Sequence, residues 1–104
     1  MSKRLDYGKA SPQVLQAMLA LEHSARSLVA DNTLYELVKI RASQINGCAY
    51  CLDMHTIDAR AEGERENRIY LLAVWREAGE LYTSRERAAL AWTEAVTEVA
   101  STGV

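Results

Sequence analysis

Apolar residues recur along this chain at three- and four-residue steps, the spacing that gathers side chains onto one face of a helix. No segment alternates with the period of two that marks a half-buried strand. Ser11 before Pro12 reads as an N-cap followed by proline at the first helical position, where its missing N–H costs nothing. Leu15, Met18, Leu19, Ala25 and Val29 then predict one apolar stripe of core residues running to about Ala30. A second helix is expected from Asp31 to Thr33 onward, with Leu34, Leu37, Val38, Arg41 and Ile45 on one side, until Asn46-Gly47 interrupts it. The third runs from about Cys48 to Glu62 and stops at Gly63, a residue suited to the left-handed C-terminal position. A fourth segment carries Ile69, Leu72, Ala73 and Arg76 as far as Gly79. Thr83 with Glu86 makes a capping-box pattern for a fifth helix bearing Ala89, Trp92, Val96 and Val99. The fold class is therefore all-α: a bundle of about five helices joined by short connections, forming a single domain over residues 1–104.

Composition narrows the function classes. The 12 Lys and Arg are interleaved with 14 Asp and Glu for a net charge of -2, so no basic patch offers a site for nucleic acid. No run approaches the ~20 apolar residues of a membrane helix. Met1-Ser2-Lys3-Arg4 is followed by Leu5-Asp6-Tyr7-Gly8 rather than by an apolar signal core, which points to the cytoplasm. A chain of 104 residues hides only about two-thirds of its unfolded surface on folding. Trp92, Val96 and Val99 need apolar partners that five short helices do not supply. Either a partner subunit covers them or a further C-terminal helix is missing, and on both readings a homo-oligomer is expected.

The two cysteines, at 48 and 51, would close a loop too short to act as a scaffold disulfide, so a redox or metal role is favoured over a staple. Cys48, Cys51 and His55 fall on one helical face at i, i+3 and i+7. Cys48 also lies in the first turn after Gly47, where free N–H groups and the helix dipole favour the thiolate. If Asn46-Gly47 makes the second and third helices antiparallel, Glu36 lies about 16 Å and His55 about 12 Å from that turn, near enough in level to face each other. Glu36, His55 and Cys51 then line up as carboxylate, imidazole and thiol, with Cys48 beside them to close a disulfide. Other readings compete. Glu36 three residues after Thr33 also fits a capping box, and the cysteines fit buried small hydrophobes. Cys48, Cys51, His55 and Glu36 also make a ligand count suited to Zn²⁺, although two cysteines one turn apart close a tetrahedron awkwardly. His23 reads as a polar-face residue, and Tyr50, Trp75 and Trp92 as packing residues, with Tyr50 placed to line the site.

The stretch from Glu36 through Cys48-Ala49-Tyr50-Cys51 to His55 resembles the core motif of the AhpD-like alkylhydroperoxidases, within the carboxymuconolactone decarboxylase superfamily: Glu, eleven residues, Cys-x-x-Cys, three residues, His. Arg4-Leu5-Asp6-Tyr7, Trp75-Arg76-Glu77 and Arg85 to Leu90 extend the likeness over most of the chain. The resemblance implies an all-α fold assembled into trimers or hexamers. It also implies a thiol peroxidase in which Cys48 and Cys51 are the catalytic dithiol and Glu36 and His55 the proton relay. No bound cofactor or metal is implied, only a peroxide substrate and an external dithiol reductant of the lipoamide type. The helix-terminus argument favours Cys48 as the attacking thiol and Cys51 as the resolving one. Tyr50 stands where the AhpD proteins proper carry a second histidine. Family members also continue with a helix beyond the one ending near Ala100, and the superfamily's decarboxylases are not built around this dithiol.

Overall fold

A computed structural model describes residues 6–103; Arg4 and Leu5 of the N-terminal signature lie outside the described residues. Every regular element among them is helical. Residues up to Ala30 form one compact unit and those from Asp31 onward another.

The first unit holds α1 (Tyr7–Ala10) and α2 (Pro12–Val29), with Ser11 at the N-cap and Pro12 at the first turn as the sequence predicts. The expected core stripe is not a core: no residue of α2 is buried, and Met18 is 60% and Leu19 59% exposed. Periodicity announces an apolar face but does not say what covers it.

The second unit is organised around α3 (Asn32–Asn46), which packs against α4 (Ala49–Ala61) and α6 (Ser84–Thr97). Leu37 and Ile40 of α3 meet Ala59 of α4, Leu90 of α6 and, from the segment between, Ile69, Leu72, Trp75 and Tyr82. Each large aliphatic group buried in this way contributes about 1.5–3 kcal/mol. The cap of α3 is Asp31, whose side chain accepts from the Leu34 N–H at 3.0 Å, so Thr33 and Glu36 do not form a capping box. That releases Glu36 for other work.

The fourth predicted helix is different in kind. A short α5 (Glu66–Tyr70) gives way to 3₁₀ turns over Leu71–Glu77 and Gly79–Leu81, broken at Val74 (φ -125°, ψ 32°). Ile69, Leu72 and Trp75 are buried and Ala78 and Leu81 pack against them. These five recur every third residue, and a helix of three residues per turn keeps such a row on one side, whereas an α-helix would rotate it away. Ala73 and Arg76, expected on the inner face, are consequently exposed.

Two ionic clusters tie this segment to α6. Arg68, buried beside Tyr82, donates to both carboxylate oxygens of Glu86 (3.1 and 2.8 Å), to Glu64 and to the Leu81 carbonyl. Glu86 is at the same time the third residue of the capping box with Thr83, which forms as the sequence predicts. Burial drives the Glu86 carboxyl upward, but bonds from Arg68 and Thr83 outweigh it and hold the group below its ordinary range. Burial pushes the Tyr82 hydroxyl up to about 12. In the second cluster Glu94 accepts from Arg41 (3.0 Å), the Trp75 indole N–H (3.1 Å) and Arg76 (2.9 Å). The Arg76 and Arg87 guanidinium groups both lie over the Trp75 ring, 4.4 and 5.3 Å from its centroid. On α6 the buried positions are Glu86, Leu90 and Thr93, whereas Trp92 is 62% exposed and Val96 also faces outward. The expected fifth helix stops at Thr97, so Val99 lies on a separate short α7 (Val99–Thr102), where it too is exposed. Among the described residues the apolar stripe predicted to need a partner is thus left open.

Candidate active site

Gly47, the interrupting residue between the second and third predicted helices, sits at φ +66°. Its N–H donates to the Gln44 carbonyl (3.2 Å) and the Cys48 N–H to the Ser43 carbonyl (3.1 Å), the paired bonds that close a helix through a left-handed residue. Cys48 therefore finishes α3 and, with extended backbone (φ -92°, ψ 99°), is also the N-cap of α4. Its Sγ accepts from the Cys51 N–H at 3.2 Å, filling the place a serine or aspartate oxygen takes at an ordinary N-cap. A sulfur in that position receives a backbone donor and the positive end of the helix, both of which favour the thiolate when the pair is reduced. A Cβ at residue 47 would meet nothing within 4 Å, so Gly47→Ala should cost about 1–2 kcal/mol through the left-handed backbone alone. Denaturant midpoints check this, and Gly47→Asn should recover much of the loss because asparagine tolerates that conformation.

Cys48 and Cys51 are joined by a disulfide across a Cα separation of 5.3 Å, inside the range a disulfide requires. His55 lies one turn beyond Cys51 on the same face of α4. Because α3 and α4 run back along each other from Gly47, Glu36 comes level with His55, and the Nδ1 to Oε2 distance is 2.9 Å. Glu36 is 2% exposed and the His55 ring is largely covered, its edge meeting the Tyr35 ring at a centroid distance of 6.4 Å. An ionised carboxylate only accepts, so Nδ1–H donates to Glu36 and Nε2 keeps the lone pair that takes a proton. The four residues singled out in the sequence are thus brought together: a dithiol at a helix start, an imidazole one turn on, and a buried carboxylate that orients it.

The sequence left other features of the site unseen. Tyr35 against His55 is one, and Asp58, one turn beyond His55 on α4, is another. Tyr50 is 79% exposed rather than packed, and His23 is exposed as expected. A cleft of about 580 Å³ is lined by Ile40, Gln44, Leu52, Thr56 and Arg60 among others, on a different face of α4 from the sulfurs and His55.

The family model of the carboxymuconolactone decarboxylase family matches residues 12–95, a span containing every residue of the site. The chain belongs to this family. A Bacillus subtilis (strain 168) relative, the uncharacterised protein YdfG, is 44% identical over 101 residues, covering 97% of this chain and 68% of the relative. A crystal structure of an Agrobacterium tumefaciens protein of unknown function, described as a candidate antioxidant-defence protein AhpD, superposes with a TM-score of 0.85 at 46% identity. It covers 98% of this chain and 69% of that one. The helical architecture of this family member is accordingly the AhpD-like fold. Among its described residues no helix is long and apolar enough to cross a membrane.

Proposed function

We propose that this family member is a thiol-dependent peroxidase that reduces hydroperoxides through Cys48 and Cys51. The observation that carries this reading is the joining of the two cysteines one helical turn from an imidazole held by a buried carboxylate. Reduced, the pair offers one thiol stabilised as thiolate by the start of α4 and another one helical turn before His55. A thiolate sulfur attacks the peroxide oxygen, the O–O bond breaks, and the departing alkoxide takes a proton from water to leave as the alcohol, giving a sulfenic acid. The second thiol, deprotonated by His55 Nε2, displaces hydroxide from that sulfenic sulfur. The products are the disulfide and, with the proton that His55 took, water. Glu36 stabilises the imidazolium formed in between. An external dithiol of the lipoamide type then reopens the disulfide and is itself oxidised to a cyclic disulfide. Carboxymuconolactone decarboxylation, the activity that gives the family its name, has no use for a disulfide-forming pair, so redox chemistry is the better reading. We further propose that the enzyme works in the cytoplasm as a homo-oligomer, a trimer or hexamer in which exposed faces such as Trp92, Val96 and Val99 are covered.

The test is stoichiometric. On adding a small excess of peroxide the reduced protein should lose its two thiols and regain them with dihydrolipoamide. Cys48→Ser and Cys51→Ser should each reduce catalytic peroxide consumption to background, and dimedone labelling of the two variants identifies the attacking sulfur. Consumption that survives either substitution would overturn the proposal.

A further inference from the structure

Asp58 has no part in the relay, yet it stands at its edge. One carboxylate oxygen each from Glu36 and Asp58 and a ring nitrogen of His55 all lie within 4.8 Å of one another. The three come from two packed helices, with Glu36 on α3 and His55 and Asp58 one turn apart on α4. Ligand atoms bound at about 2.0–2.2 Å to a common ion stand roughly 3–4 Å apart, so only a small rotation is needed. Asp58 is exposed and can make it. The donor set is also selective. Hard cations such as Mg²⁺ and Ca²⁺ prefer all-oxygen shells, whereas an imidazole beside carboxylates suits first-row transition ions. Two carboxylates match the charge of a dication, and the burial of Glu36 leaves its attraction for such an ion weakly screened.

We propose that Glu36, His55 and Asp58 form a binding site for a divalent transition-metal ion of the zinc type, with its remaining coordination positions open to water. This differs from the cysteine-based site that sequence spacing suggests, since the convergent donors include neither sulfur. Binding has a chemical consequence for the relay. Nδ1 is the ring nitrogen 2.9 Å from Glu36, so an ion sharing Glu36 takes the Nδ1 lone pair. The imidazole proton then moves to Nε2, which becomes a donor and no longer accepts the thiol proton. A bound ion therefore switches off thiol activation. That consequence rests on the peroxidase reading; the binding does not.

The experiment titrates Zn²⁺ into the oxidised protein against a chromophoric chelator, because the disulfide removes both thiols as competing ligands. About one Zn²⁺ per chain should bind, and Asp58→Asn should weaken binding about tenfold or more. His23→Gln should leave it unchanged. Long-range ¹H–¹⁵N spectra of the two histidines should show the His55 ring change tautomer with Zn²⁺ while His23 does not. No uptake, uptake indifferent to Asp58→Asn, or uptake lost with His23→Gln overturns the site. Zn²⁺ bound at His55 by a protein that consumes no peroxide supports the site and counts against the peroxidase. Turnover that is unaffected by saturating Zn²⁺ overturns the switch.

Discussion

His55→Ala is expected to lower peroxide turnover of the reduced protein by about 10²–10⁴-fold, the usual contribution of a positioned general base. Two features of the structure put the effect in that range. Nδ1 is already engaged with Glu36 at 2.9 Å, which fixes the ring and leaves Nε2 as its one nitrogen free to act as the base. Glu36 is almost wholly buried, so the charge that steadies the imidazolium acts through little solvent. Glu36→Gln should therefore lose a large part of the same factor while folding normally, since it removes a buried charge and keeps the shape. Turnover at saturating peroxide, followed across pH, reads both variants. A rate within twofold of wild type in either variant, with normal thermal stability, would remove the relay from the mechanism.

The second large effect falls on stability. Arg68→Met should destabilise the fold by about 3–5 kcal/mol, because it leaves the Glu86 carboxylate buried without its guanidinium partner. For a domain whose whole stability is roughly 5–15 kcal/mol, such a loss approaches unfolding. The pH dependence follows from the direction of the Glu86 shift. Its carboxyl is held below the ordinary range in the folded wild type, so the pairing contributes fully above the unfolded value and is lost as pH falls through the depressed folded one. In Arg68→Met the guanidinium bonds are gone and only the Thr83 bonds still oppose burial, so the Glu86 carboxyl rises relative to the wild type and protonation costs the variant less. The gap between the two proteins should narrow as pH is lowered from 7 toward 4, measured by urea unfolding at each pH. A gap that widens over that interval would show that Arg68 acts through its packing and not through Glu86.

Much of this was legible in the chain alone, and for identifiable reasons. Local rules govern the helix ends at Pro12, Gly47 and Thr83 because a cap, a missing N–H or a positive φ depends on a few neighbouring residues. Cys48, Cys51 and His55 share a helical face by spacing, and Glu36 meets His55 because the turn at Gly47 sets two helices back to back with the two residues at similar levels. What the chain could not show depends on residues distant in sequence. The three-residue repeat from Ile69 to Leu81 became a 3₁₀ segment only because a core already stood on one side of it. Arg68 finds Glu86 eighteen positions away, and Trp75 finds Glu94 across nineteen. Asp58 lies beside His55 in sequence but acquires meaning only when α3 brings Glu36 to the same point. Short-range geometry alone was enough for α2, α3 and α4, for the cap that starts α6 and for the chemistry carried on one face of α4. The 3₁₀ segment, the choice of which apolar stripes became core and the pairing of each carboxylate with its cation depended on the packed fold, because burial and pairing are set by what the rest of the chain places opposite.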